Sequence, residues 1–349
     1  MTSASSSVEL APRRSKASGL WYRLSVPVSV TVAIALALTP LTAILVLGWL
    51  MRMMRRETAI ALCRHARGDI KRREAKDRLA AIERLAPLSR FPGWVRGFKD
   101  TIKSGLRATI ALAVATLPYG AILLLAWWAG WENSFNKGYE QAWVGPLVSL
   151  FGLVLAVFVL IHLPMGLAHH AAEQRIGAIW ELRVIRKLIR HVRWRYVILT
   201  LLSIGLAAPI FLAQILPTFI ENIYPQLATA TPEEVRRFTF LWQLGFTTYL
   251  VLTLVLLRRW AGRLYARAIV RQGDFPGAFS ESVLEALVLP KTEAQKAPGR
   301  LGGFVSALLL AAGWFAFVAV IYVAQFANHA WWNWLNLPTI ALPWIYQPF

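Results

Sequence analysis

The sequence predicts an all-α fold, a polytopic bundle of transmembrane helices, on three observations. Hydrophobic residues make up 57% of the 349 residues and charged residues only 16%, against roughly 45–50% and about 25% in soluble chains. Apolar runs recur along the chain, each holding about twenty or more residues, enough for a helix to cross a hydrocarbon core of ~30 Å. Lys and Arg total 38 against 18 acids, a net charge of +20, yet they crowd the flanks of those runs. In a soluble chain that balance would suggest nucleic acid. At the ends of apolar runs it indicates orientation and attraction to anionic headgroups, and no nucleic-acid partner.

The elements follow in order. Residues 1–23 are rich in Ser and Ala, carry Arg13, Arg14 and Lys16, and hold too little apolar surface to fold, so a disordered tail is expected. A transmembrane helical domain follows over 24–329, with apolar runs at 26–51, 108–131, 142–168, 196–220, 238–257 and 303–327. Backbone inside hydrocarbon must satisfy its own hydrogen bonds, which makes these six segments helical. The first contains Thr39-Pro40. Proline lacks an N–H and clashes with the preceding turn, so two short helices, 24–39 and 41–56, folded as a hairpin are preferred over one span kinked at Pro40. Ala35-Leu36-Ala37 mimics a leader cleavage site, but apolar sequence continues to Leu50, too far for a leader, and a retained segment is expected.

Charge assigns sides. The connections 52–107, 171–195 and 258–300 carry sixteen, seven and eight Lys/Arg, whereas nothing beyond Arg300 is charged. Basic loops stay in the cytoplasm, which places these connections inside and the C-terminus outside. The hairpin would return the N-terminus to the inside. Tryptophans agree: Trp127, Trp128, Trp131 and Trp143 bracket the first outer loop, and Trp49, Trp194 and Trp260 stand at inner ends, where an apolar ring with an N–H is best placed. Residues 330–349 hold Trp331, Trp332, Trp334, Trp344 and Tyr346 among prolines and are expected to lie along the outer interface. Cys63, the single cysteine, excludes an internal disulfide and falls in the first basic connection as a small apolar residue.

Three stretches resemble a family. They are Gly48-Trp49-Leu50-Met51-Arg52; Phe91-Pro92-Gly93-Trp94 through Gly97-Phe98-Lys99-Asp100 to Gly105-Leu106; and Leu163-Pro164-Met165-Gly166-Leu167-Ala168 leading into a basic helix at 176–193. Over roughly 40–270 the chain is similar to the uncharacterised bacterial multi-pass membrane proteins of the domain of unknown function 4013. The resemblance implies a multi-pass protein of a bacterial cytoplasmic (inner) membrane and supplies no activity, cofactor or catalytic residue. The charged segment at 232–237 and the aromatic tail lie outside its pattern.

Two kinds of constellation bear on function. The first is basic and amphipathic. In 71–86, Ala75, Leu79, Ile82 and Ala86 share a face; in 91–106, Phe91, Trp94, Phe98, Ile102 and Leu106 do so opposite Arg96, Lys99 and Lys103. Such cytoplasmic helices suit the membrane interface, and packing on the bundle is the alternative. A second basic helix, expected to continue the third span, carries Arg183, Arg186, Lys187 and Arg190. Arg259, Arg263, Arg267 and Arg271 recur at every fourth position, one stripe along a helix. These eight basic residues are candidate contacts for anionic lipid headgroups, and Phe91, Trp94, Phe98 and Ile102 mark the interfacial helix.

The second constellation is His162, His169, His170 and Glu173 on the third helix. His and Glu are zinc or iron ligands, but His162 and Glu173 stand about 16 Å apart along the helix and the two adjacent histidines diverge. Glu181 would be neutralised by Arg183, Arg186 and Lys187. A solvated interface feature is therefore expected, with no metal, no cofactor and no catalytic residue. No GxSxG, GxxxxGK[ST] or HExxH occurs, and the apolar runs hold no Asp, Glu, Lys or Arg at mid-depth. The function expected is non-enzymatic: a structural or accessory membrane component contacting anionic lipid, with possible membrane-protein partners. The alternatives are a transporter or channel-like protein for a small molecule, favoured if a polar cavity crosses the membrane, and a lipid-modifying enzyme.

Overall fold

The structure is a computed structural model, described over residues 16–66, 74–76, 93–129, 143–272 and 299–325. Its α-helices are α1 (Lys16–Ala37), α2 (Pro40–Ala66), α3 (Gly93–Trp127), α4 (Val144–Glu173), α5 (Leu182–Ile223), α6 (Pro232–Gln272) and α7 (Arg300–Gln325). Short 3-10 helices at Ile176–Trp180 and Pro225–Thr229 join α4 to α5 and α5 to α6. No strand occurs among the described residues.

Proline divides the first apolar run as expected. α1 stops at Ala37 and α2 starts on Pro40, a first helical position where the missing N–H costs nothing. The freed carbonyls of α1 find donors in the turn: Leu38 N–H reaches Ala35 O, and the Thr42 hydroxyl donates to Leu36 O. α1 then folds back, with Ala33 and Ala37 in one cluster with Val46 and Leu50 of α2 and Val251 and Val255 of α6. α1 begins at Lys16, inside the segment read as a tail; residues 1–15 lie outside the described ones.

Among the described residues, four helices are long and apolar enough to cross a membrane: Gly97–Trp127, Val144–Glu173, Pro232–Gln272 and Leu301–Ala319. This is a membrane protein, and these helices account for four of the six expected spans. The first apolar run is divided by the Pro40 turn between α1 and α2, and the side chains of 16–26 lie outside the described residues. The 196–220 run lies within α5, where the side chains of 210–223 are outside the described residues. The exterior of the bundle is apolar, as a lipid-facing surface requires: Leu147, Leu150, Phe151, Val154 and Phe158 are exposed at helical spacing on α4.

α2 is the axle of the packing. It lies against both α3 and α6, and glycines make that possible. A Cβ on Gly48 would sit 1.9 Å from Thr101 O, and one on Gly105 would sit 2.1 Å from Ile44 O. The two helices therefore touch backbone to backbone, the contact that small residues permit in membranes. One turn on, Arg52 Nη1 donates to Gly97 O (2.5 Å) and Thr101 Oγ1 (2.7 Å). On the other side, Gly262 of α6 approaches Met54 O, and the Thr58 hydroxyl reaches both Met54 O and Gly262 O.

One connection differs from expectation. Cys63 is buried within α2, which runs to Ala66 because its last turns, Ala59 to Cys63, pack into the core. The Phe91–Leu106 segment is continuous with the second span: from Gly93 it is the first part of α3, and exposed Phe98, Ile102 and Leu106 continue into exposed Ile110 and Val114 of the same helix. Phe91 and the Trp94 side chain lie outside the described residues, as do Leu79, Ile82 and Ala86 of the 71–86 segment and the tail 330–349. α6 opens with a capping box on Thr231, whose N–H is accepted by Glu234 Oε2 while its hydroxyl accepts from Glu234 N–H.

Substituting Gly48 or Gly105 by Ala is expected to destabilise the bundle by about 3 kcal/mol or more, since backbone oxygens cannot rotate away. Gly120, with nothing near its absent Cβ, is the control: its Ala variant should be neutral or gain up to about 1 kcal/mol from helix propensity. Thermal unfolding in detergent measures both; equal effects at Gly48 and Gly120 would contradict the close crossing.

Candidate functional site

The polar side chains gather at one end of the bundle, where α4 ends. Gln174 takes a left-handed conformation (φ 55°), which stops α4, and its N–H bonds His170 O at 2.8 Å. Arg107 of α3 donates to Gln174 O at 3.1 Å and ties the turn to the bundle. The chain then makes the 3-10 helix before α5 begins, so the basic helix does not continue α4. The expected single helix is broken at Gln174.

This turn brings Glu181 back over the end of α4. His169 is fully buried, with Nε2 2.8 Å from Glu181 Oε2 and Nδ1 2.8 Å from the hydroxyl of buried Tyr265 on α6. Glu181 Oε1 accepts from Arg175 Nη2 (2.9 Å), and Arg175 also reaches Glu173 Oε2 (3.1 Å). Burial raises the pKa of the Glu181 carboxyl, but the His169 hydrogen bond and the nearby charge of His169 and Arg175 outweigh it. They hold the group below its ordinary range. Glu181 is thus neutralised by His169 and Arg175, not by Arg183, Arg186 and Lys187, which are exposed.

The four residues grouped on sequence are not brought together. Both ring nitrogens of His169 are occupied, and His170 Nδ1 bonds Arg175 O at 2.8 Å. His162 Nδ1 bonds Phe158 O, and its Nε2 accepts from Arg186 Nε at 3.4 Å. Among the described residues no three His, Cys, Asp or Glu are arranged around one ion. The arrangement is a buried polar clasp joining α4, the α4–α5 turn and α6. Tyr265 was missed on sequence because it lies 96 residues from His169, and nothing local marks a tyrosine whose partner is that distant.

A second clasp joins α2 to α6. Glu57, buried in α2, lies 3.2 Å from Arg263 Nε and 3.9 Å from Arg259 Nε. Arg271 Nη1 donates to His191 O at 2.9 Å. Three members of the 259–271 stripe are therefore engaged with the protein, and only Arg267 has no such partner among the described residues. On α5 the pattern is reversed. Arg183, Arg186, Lys187 and Arg190 are all exposed on one face, while Ile185, Leu188 and Val192 are buried on the other. Arg186 also lies over the Phe158 ring, 5.4 Å from its centroid.

Replacing Tyr265 by Phe should cost about 1–2 kcal/mol, because His169 loses a buried partner. A carboxyl whose folded pKa is depressed contributes stability above its unfolded pKa, near 4.5, that is lost as pH falls through the folded value. Wild type should therefore lose stability on acidification where Glu181→Gln is flatter, read as unfolding midpoints from about pH 7 to about pH 3. Parallel curves would exclude Glu181 as a charged member of the clasp.

The comparisons with known proteins bear on this architecture. No curated protein and no solved structure matches the chain. The sequence pattern of a family described as Protein of unknown function (DUF4013) matches residues 31–220. That stretch contains the Pro40 turn, the α2–α3 crossing, α4 with His169, and the exposed basic face of α5, whereas Tyr265 and the arginines of α6 lie beyond it. The match covers more than half of the chain, and the protein belongs to this family of membrane proteins.

Proposed function

We propose that the protein is a non-enzymatic structural or accessory component of a bacterial cytoplasmic membrane that holds anionic lipid against its cytoplasmic face. The observation that carries this function is the exposed face of Arg183, Arg186, Lys187 and Arg190 at the start of α5. Exposed Trp180 and Trp194 flank it at 37% and 52% exposure, side chains suited to the headgroup layer. Basic residues near an anionic leaflet contribute about 1 kcal/mol each, and none of these four makes an ion pair among the described residues. Arg267 and the outer parts of Arg259 and Arg263 extend the same charge on α6. Phe98 and Ile102, exposed at the start of α3, would sit in the same interfacial layer, and partner membrane proteins would meet the apolar exterior.

The orientation belongs to this proposal. The basic connections 52–107, 171–195 and 258–300 face the cytoplasm and the C-terminus faces outward. Reporter fusions at Arg90, Arg190 and Lys291 should read cytoplasmic and one after Phe349 external. An external signal from any of the three would overturn the orientation.

Replacing Arg183, Arg186, Lys187 and Arg190 together by Gln should remove up to about 4 kcal/mol of attraction to anionic lipid. Native mass spectrometry should then show less co-purified acidic phospholipid, and the difference should shrink in high salt. Unchanged lipid content in a folded variant would defeat the proposal.

A further inference from the structure

Among the described residues, Arg258 has no counter-ion; it stands at the end of the apolar stretch of α6. It follows Leu254 by one helical turn, and Leu254 packs with Val30 of α1 and Met53 of α2 around Ala33, Leu50 and Val251. α2 and α6 run in the same direction here, since Leu50 shares a cluster with Val255 and Thr58 meets Gly262. The register therefore carries Arg258 to the level of Met53 and Met54, one turn short of Glu57, at the junction of α1, α2 and α6.

The acid of α2 is already taken. Glu57 Oε2 pairs with Arg263 and Oε1 faces Arg259. The Nε of Arg258 is enclosed and has no hydrogen-bond partner, and no ion pair reaches the side chain among the described residues. The residue as a whole is half-buried, not sealed in the core. A lysine or histidine so placed can give up its proton. A guanidinium cannot, and a partly buried cation without a partner is costly to keep. What it presents is a fixed charge on a planar fork of donors, the geometry that phosphate oxygens accept in pairs. The position, just past the run 238–257, is where headgroups end and hydrocarbon begins.

We propose that Arg258 anchors a phosphate-binding site at the α1–α2–α6 junction, filled by the phosphate of an anionic lipid or by a soluble phosphate. The site rests on the lipid-binding function proposed above and deepens it. Beside the diffuse contacts of α5, it adds one phosphate held in a defined place.

The test uses the full-length protein in neutral detergent, stripped of lipid. It is titrated with phosphatidylglycerol, phosphatidylcholine and inorganic phosphate, with bound mass read by native mass spectrometry and stability by thermal midpoint. Wild type should take up one tightly held phosphatidylglycerol and rise in midpoint. Arg258→Met should bind that first lipid roughly ten-fold or more weakly, and Arg258→Lys, which keeps the charge without the fork, should fall between. Without ligand, Arg258→Met should be at least as stable as wild type, because it deletes an unpartnered charge. A lower midpoint there would make Arg258 a packing residue and overturn the site.

Protection by inorganic phosphate that vanishes in Arg258→Met assigns a soluble phosphate; protection by phosphatidylglycerol alone assigns a lipid. Equal first-lipid uptake by wild type and Arg258→Met, with no phosphate effect, overturns the site and leaves the α5 function standing. No preference for phosphatidylglycerol over phosphatidylcholine in wild type overturns the α5 function. The Arg258 site then survives only if inorganic phosphate protects wild type and not the variant.

Discussion

Where Gly48 meets Thr101 and Gly105 meets Ile44, α2 and α3 touch through backbone atoms, and in hydrocarbon few other forces hold two helices together. Lipid tails are as apolar as leucine, so burial against a neighbour gains little; close packing and polar contacts must do the work. The crossing brings Arg52 within reach of Gly97 O and Thr101. It also fixes α2, whose opposite side receives Gly262 of α6 and whose Leu50 and Val46 receive the folded-back α1. α4 lies against α2, α3, α5, α6 and α7, so its position follows from the same pair.

Charge is used in two ways by this bundle. Glu57 holds Arg259 and Arg263, and Glu181 holds His169 and Arg175, so the scarce acids near the core each bind two basic partners. These contacts tie helices distant in sequence, α2 to α6 and α4 to the turn before α5. The remaining basic residues face outward, most densely on α5. Breaking one member of such a buried pair leaves its partner exposed to the full cost of desolvation, which makes the clasps elements of specificity in a fold otherwise built on apolar contact.

The family resemblance gains a physical content from the structure. Gly48 and Gly105, both inside the short motifs that carried it, are the residues of the α2–α3 crossing. Arg52 and Gly97, from the same motifs, make the hydrogen bond beside it. Gly166 of the third motif lies 3.4 Å from Ile179 and Ile185 by its absent Cβ, where the 3-10 turn and the start of α5 fold back on α4. Motifs without chemistry to perform mark places where backbones come close.

The sequence by itself determined the class of solvent and the helical state, because hydropathy and Pro40 act locally: 57% apolar residues require a membrane, and a proline ends a helix wherever it falls inside one. It also placed the basic face of α5, since Arg183, Arg186, Lys187 and Arg190 follow the helical period. It did not reveal that Arg259 and Arg263 turn to Glu57, or that His169 chooses Tyr265 and Glu181 over the histidines beside it. Those outcomes depend on which helices lie side by side, and periodicity along one helix carries no information about its neighbour. Only the tertiary structure, set by glycine-permitted backbone contact, decided which charges are buried with partners and which, like Arg258, have none among the described residues.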